Sequence, residues 1–135
     1  MGVHGGAGES TLASVSSGTR VADHAWPQVA TAGVNPVVVL VARTHARGLL
    51  AAQAAAAHWA AGTSGVDLLG LVLIADAPGR LPRPLKDLSA LVAGGVPRVW
   101  RLPWHEPWRL GEVPSPESSP KAVRAMVAEL DRLVP

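Results

Sequence analysis

Cysteine is absent from the 135 residues, which excludes a disulfide framework and thiolate metal sites and agrees with a reducing compartment. Phenylalanine and tyrosine are absent too, so five tryptophans supply all the aromatic surface and a core has to be built from Ala, Val and Leu. Lysine is scarce: only Lys86 and Lys121 stand beside the arginines, a skew that, with so much Ala, Gly and Pro, reads as G+C-rich coding. The histidines show no H-x-x-x-H or H-E-x-x-H spacing, so no metal is expected. The longest stretch without formal charge, Gly48 to Val66, is alanine-rich and interrupted by Gln53, His58, Gly62 and Gly65, the pattern of a soluble helix rather than a membrane span. Met1-Gly2-Val3-His4-Gly5-Gly6 lacks the basic and apolar regions of a secretory signal, and Gly6 fails the Ser/Thr position of a myristoylation site. These absences lead us to expect a cytoplasmic protein without a membrane partner.

What is present suits one compact domain over residues 1–135, since this length and a 48% hydrophobic content suffice for a single core. Pro36 to Ala42 and Leu68 to Ala75 are continuous apolar runs, as expected of strands buried on both faces of a parallel sheet. Between them a helix is predicted from about His45 to Ala61, capped by Thr44 and closed at Gly62, with Leu49, Leu50, Ala56, Ala57 and Trp59 as packing residues. Pro84 to Ala93 reads as a short helix, and Val96 to Leu102, interrupted by Pro97, as an edge strand. Residues 103–118 form a proline- and tryptophan-rich wrapping loop. The last helix, 119–134, takes Ser119 as N-cap and Pro120 as its first residue, and repeats Val123, Met126, Val127, Leu130 and Leu133 along one face. Alternating strands and helices give an α/β, three-layer fold with a mostly parallel sheet.

The residues richest in chemistry come first in the chain. His4-Gly5-Gly6-Ala7-Gly8-Glu9-Ser10-Thr11 has the glycine frame of a phosphate-binding loop, in which backbone N–H groups converge on phosphate, a lysine reaches the β/γ-phosphates and Ser/Thr holds Mg²⁺. Glu9 stands where that lysine belongs. The segment resembles the variant loop K-G-G-x-G-K-[ST]-[ST] of ParA/MinD-type P-loop ATPases, with His4 and Glu9 at its two lysine positions. Exchanging attraction for repulsion with a ligand charge at 4 Å costs roughly 2 to 8 kcal/mol between water and an effective dielectric of 20. Tight nucleotide binding is therefore not expected. Two roles suit Glu9: a first-turn acid that complements the helix dipole, or a carboxylate that plugs the anion nest. His4 reads as a solvated loop residue before a ligand or base. Only Met1, Gly2 and Val3 precede the loop, so the strand that normally leads into it is either vestigial or begins upstream.

Asp76, in Leu71-Val72-Leu73-Ile74-Ala75-Asp76-Ala77-Pro78-Gly79, has three readings: a strand-exit turn, a strand end facing a nucleotide base, or a Walker B acid orienting Mg²⁺. Residues 43–109 carry Arg43, Arg47, Arg80, Arg83, Lys86, Arg98, Arg101 and Arg109 against Asp67, Asp76, Asp87 and Glu106. Ligands of open parallel sheets bind outside the carboxyl ends of the strands. Arg43 and Arg80 follow two such ends and are candidates to restore the positive charge that Glu9 removes. Trp100, Trp104 and Trp108 recur at spacing four among Arg101, Arg109 and prolines. They read either as packing under the loop, as a protein-binding hot spot, or as a stacking platform for single-stranded nucleic acid. Pro103 and Pro107 argue against a helix there.

From Val3 to Trp104 the chain resembles a small bacterial family related to ParA/MinD-type ATPases and found on mobile or plasmid-like elements. The resemblance rests on residues 2–13, His24-Ala25-Trp26-Pro27, Val41 to Leu49 and Asp76-Ala77-Pro78-Gly79-Arg80. It implies a truncated P-loop NTPase-like fold and carries over no activity. The expectation is a catalytically degenerate domain that binds a protein partner, with no catalytic residues and no cofactor. The alternatives are a nucleotide-binding ATPase using ATP and Mg²⁺ through His4 to Thr11, Arg43, Asp76 and Arg80, and a nucleic-acid-binding accessory protein. Trp100, Arg101, Trp104, Trp108 and Arg109 are the candidate partner surface.

Overall fold

A computed structural model describes residues 1–134. Three strands, β1 (Val37–Arg43), β2 (Asp67–Ile74) and β3 (Val99–Leu102), pair in parallel in the order β1-β2-β3. Five helices surround them: α1 (Glu9–Val15), α2 (Ala46–Ala60), α3 (Arg83–Ala93), α4 (Glu106–Arg109) and α5 (Lys121–Leu133). Branched apolar runs make β1 and β2 because both faces of these strands are covered. On one face Val41, Val72, Ile74 and Leu102 meet Leu12 and Val15 of α1 and Val123, Met126 and Leu130 of α5. On the other, Leu40, Ala42, Leu71 and Leu73 meet Leu49 and Ala52 of α2 and Val92 of α3. Helices on both faces of a parallel sheet are the α/β arrangement expected from the strand–helix alternation.

The start of the chain adds a rudiment of a fourth strand. Gly2 bridges Val41 in parallel, the Val3 N–H donates to the Val41 carbonyl at 3.0 Å, and the Val41 N–H donates to Met1 at 2.9 Å. β1 therefore lies between this rudiment and β2, while β3 forms the opposite edge. The outer side of the rudiment is closed by side chains: the His24 Nδ1–H donates to the Gly2 carbonyl at 2.8 Å. Capping an exposed edge in this way removes a template for further strand pairing.

β2 contains a bulge. Val38 pairs with Leu68 and Val39 with Gly70, leaving Leu69 without a partner, and the extra residue switches which side chains face which layer. Gly70 is required there by close approach, because a Cβ would lie 2.5 Å from the Arg98 carbonyl oxygen and 2.8 Å from the Trp100 ring. Gly70→Ala is expected to cost about 1–2 kcal/mol through overpacking, and urea denaturation that leaves the midpoint unmoved would contradict the bulge as described.

Several local expectations change. His45, not Thr44, caps α2, its Nδ1 accepting the Gly48 N–H at 2.9 Å; Thr44 instead uses Oγ1 to accept from the Asp76 N–H at 3.2 Å. Leu50 and Ala57 point to solvent, so the apolar stripe of α2 is narrower than its composition suggests. Ser119 does not cap α5, because its hydroxyl donates to the Ser115 carbonyl at 2.6 Å and the helix starts after Pro120. β3 is shorter than the run from Val96. α4 interrupts the wrapping loop, with Pro107 in its first turn, where the missing N–H costs no helical bond.

Candidate functional site

The glycine loop rests on the carboxyl ends of β1 and β2. Gly6 and Gly8 take positive φ values of 74° and 101°, and a Cβ at Gly8 would approach Ile74 Cδ1 to 2.6 Å, so glycine is needed both for the turn and for the contact. Ala7 tucks into the core, whereas Ser10 is exposed and Thr11 half-buried.

His4 is a structural link, contrary to the solvated role expected of it. Its Nε2 accepts the Arg43 N–H at 3.0 Å, which leaves the proton on Nδ1, and Nδ1–H donates to the Gly5 carbonyl at 2.8 Å. The ring packs 5.0 Å from that of His45. Loop, β1 terminus and α2 start are thereby joined through two imidazoles.

Glu9 does not plug the loop. Its carboxylate is buried and turned inward, accepting the Ala22 N–H at 2.7 Å. The Met1 ammonium lies 3.7 Å away and itself donates to the Val39 carbonyl at 2.7 Å. Burial pushes the Glu9 carboxyl upward, but hydrogen bonds from the backbone of Ala22 and Gly2, with the ammonium and His24 nearby, outweigh it and hold the group below the usual carboxylate range. Burial draws the Met1 amine down, opposed by Glu9. The segment that supplies Ala22 is bent by positive φ at Asp23 (49°) and His24 (62°), an uncommon conformation for non-glycine residues. The Ala22–Glu9 and His24–Gly2 hydrogen bonds hold it in place.

The Arg43 side chain reaches the loop. Its Nε donates to the Gly6 carbonyl and its Nη1 to the Ala75 carbonyl, each at 3.3 Å, so the guanidinium lies between the loop and the end of β2. Burial lowers its pKa, Asp76 opposes that, and the group stays cationic. The strand-end position expected of Arg43 thus lies beside the loop. Arg80 is elsewhere: with Thr44, His45, Asp76, Leu85 and Arg101 it lines a pocket of about 320 Å³ beyond the strand ends. Thr44 and His45 were missed as site residues, although the strand-end rule that singled out Arg43 applies to the two residues after it. Asp76 follows β2, which β1 separates from the strand rudiment ahead of the loop.

The proposed tryptophan surface is dispersed. Trp100 is buried, its indole N–H donating to Glu129 at 2.9 Å. Trp104 and Trp108 are both half-buried, Trp108 packing against the core and Trp104 donating to Glu106 at 2.5 Å. Arg101 reaches Ser89 of α3 at 2.6 Å. Arg109 is exposed, 3.9 Å from Glu106. Trp100 belongs to β3, Trp104 to the link after it and Trp108 to α4, so the spacing of four does not follow one element. Among the described residues, no group of three His, Asp or Glu is placed to hold a metal, and no helix is long and apolar enough to cross a membrane.

No curated protein and no solved structure matches the chain. A family model does, over residues 1–127, and the chain accordingly belongs to DUF6668, a family of unknown function.

Proposed function

We propose that this chain is a P-loop NTPase-like domain that has left catalysis and acts by binding, through a protein partner. One observation carries the reading: the side chain at the lysine position of the loop is a buried carboxylate committed to the Ala22 N–H, so it offers a phosphate neither a cation nor a donor. The wrapping loop supports a protein partner, because Leu110 and Val113, at 72% and 82%, are the most exposed large apolar side chains among the described residues.

A nucleotide-binding ATPase is the second reading, favoured by the Arg43 guanidinium lying against Gly6. Calorimetric titration with Mg·ATP separates the two. The first reading expects affinity no tighter than about millimolar and phosphate release equal to the buffer blank, since no lysine stabilises the transferring phosphoryl group. Micromolar affinity that disappears in Arg43→Ala would establish the second. A nucleic-acid accessory role would instead give DNA binding with a steep salt dependence.

A further inference from the structure

The carboxyl ends of β2 and β3 open into a cavity of about 320 Å³, at the small end of the range for small-molecule sites. Thr44 and His45 after β1, the loop 75–82 after β2, Leu85 in the first turn of α3 and Arg101 of β3 enclose it. Open parallel sheets hold their ligands in such a crevice, outside the strand ends. None of residues 4–11 lines it. The cavity is therefore separate from the glycine loop, and what it binds does not depend on the function proposed above.

The accessible side chains of the lining define the ligand. Leu81 and Leu85 are half-buried and Pro78 and Pro82 are exposed, so apolar surface is left for a ligand to cover. The acidic and guanidinium side chains in the lining are Asp76, Arg80 and Arg101, all exposed. One carboxylate against two permanent guanidinium charges leaves the wall cationic. Asp76 also favours the cationic form of Arg43, which lies outside the lining. Neither Arg80 nor Arg101 forms an ion pair among the described residues. Arg101 gives Nη1 to the Ser89 hydroxyl at 2.6 Å, which anchors its guanidinium against α3 and leaves its remaining N–H groups to other acceptors. We propose that this cavity binds a small organic anion, an apolar body bearing one carboxylate or phosphate that Arg80 and Arg101 hold by charge-assisted hydrogen bonds.

2-Naphthoate and 2-naphthyl phosphate carry the two anionic groups on one apolar frame, and 2-naphthamide carries the frame without charge. The full chain is expected to bind at least one of the anions saturably at one site, about tenfold or more tighter than the amide. The tighter anion identifies the group recognised. Inorganic phosphate, which covers no apolar surface, should bind about tenfold or more weakly than 2-naphthyl phosphate. Arg80→Gln and Arg101→Gln should each weaken the anion about ten- to hundredfold. Arg132→Gln, at an exposed position of α5 outside the lining, should leave binding as it is. In unmutated ¹⁵N-labelled protein the anion should shift the amide signals of Ala77 and Gly79 and leave those of Gly5 and Gly6 in place, a readout independent of any variant's folding. The proposal is overturned by lack of saturable binding of either anion, by equal affinity for the amide or for inorganic phosphate, or by a folded Arg80→Gln protein that binds as the parent does. Amide shifts confined to Gly5 and Gly6 would also overturn it, because they would place the anion at the glycine loop.

Discussion

Gly48→Val is expected to lower stability by about 3 kcal/mol or more, seen as a fall of roughly 10 °C or more in Tm. Helix propensity alone forecasts the opposite sign, because glycine is the poorest non-proline helix former and valine is better. Packing decides the matter. Gly48 is buried in the first turn of α2, where a Cβ would overlap the Arg43 carbonyl oxygen and lie 2.9 Å from His4 Nε2 and 3.1 Å from the His45 ring. The carbonyl is the last of β1 and cannot yield without displacing Arg43, whose N–H is already given to His4. Gly48→Ala should fall between parent and valine. A thermal midpoint raised by Gly48→Ala would mean that α2 stands further from β1 than described. Because the same displacement moves His4 and Arg43 together, the loss of stability should be accompanied by faster amide exchange in the glycine loop.

This glycine illustrates where the sequence is informative and where it is not. Buried strands announce themselves by composition: Val37 to Ala42 and Leu68 to Ile74 lie where their apolar runs place them, since a strand covered on both faces has no polar alternation to hide it. The stripe of Val123, Met126 and Leu130 on α5 was equally legible, because its spacing maps directly onto a buried face. Arg43 could be placed near the loop by a topological rule about strand ends. Gly48, by contrast, reads locally as a weak point in a helix, and only the position of a carbonyl from another element explains it.

The misread residues share that dependence on distant partners. Trp100, Trp104 and Trp108 have the spacing of a helical face, but Trp100 belongs to β3 and Trp108 to α4, so their common period has no common element. Pro107 argues against a helix by its type, yet sits in the first turn of α4, where the same chemistry is tolerated. Thr44 has the side chain of a preferred N-cap, yet the Asp76 N–H, just past β2, engages its hydroxyl and His45 performs the capping. Glu9 depends on information no pattern carries, since its partner, Ala22, lies in a segment without periodicity.

Glu9 variants should therefore behave as changes to a buried anchor. If the carboxylate served only the helix dipole, Glu9→Gln would cost about 0.3–1 kcal/mol. With the Ala22 N–H at 2.7 Å and the Gly2 backbone also facing it, glutamine can satisfy one donor through its oxygen and must turn its NH₂ toward another. The expected loss is about 1–3 kcal/mol at neutral pH. The pH dependence follows in sign from the depressed Glu9 pKa: the carboxylate's contribution is complete above the unfolded value, about 4.3, and is lost as pH falls through the lower folded value. Parent and Glu9→Gln should therefore differ most near neutrality and converge in acid, and a gap that stays constant down to acid unfolding would remove the charge from the explanation. Glu9→Lys is the severe case. A lysine at position 9 places an ammonium in a buried site already furnished with N–H donors and the Met1 ammonium, and an uncompensated buried charge costs about 3–5 kcal/mol. That variant should melt well below the parent and gain no thermal shift from pyrophosphate or ATP, because its side chain has no route to the loop without unpacking Ala22. A folded Glu9→Lys protein stabilised by those ligands would show that position 9 still faces the phosphate side of the loop.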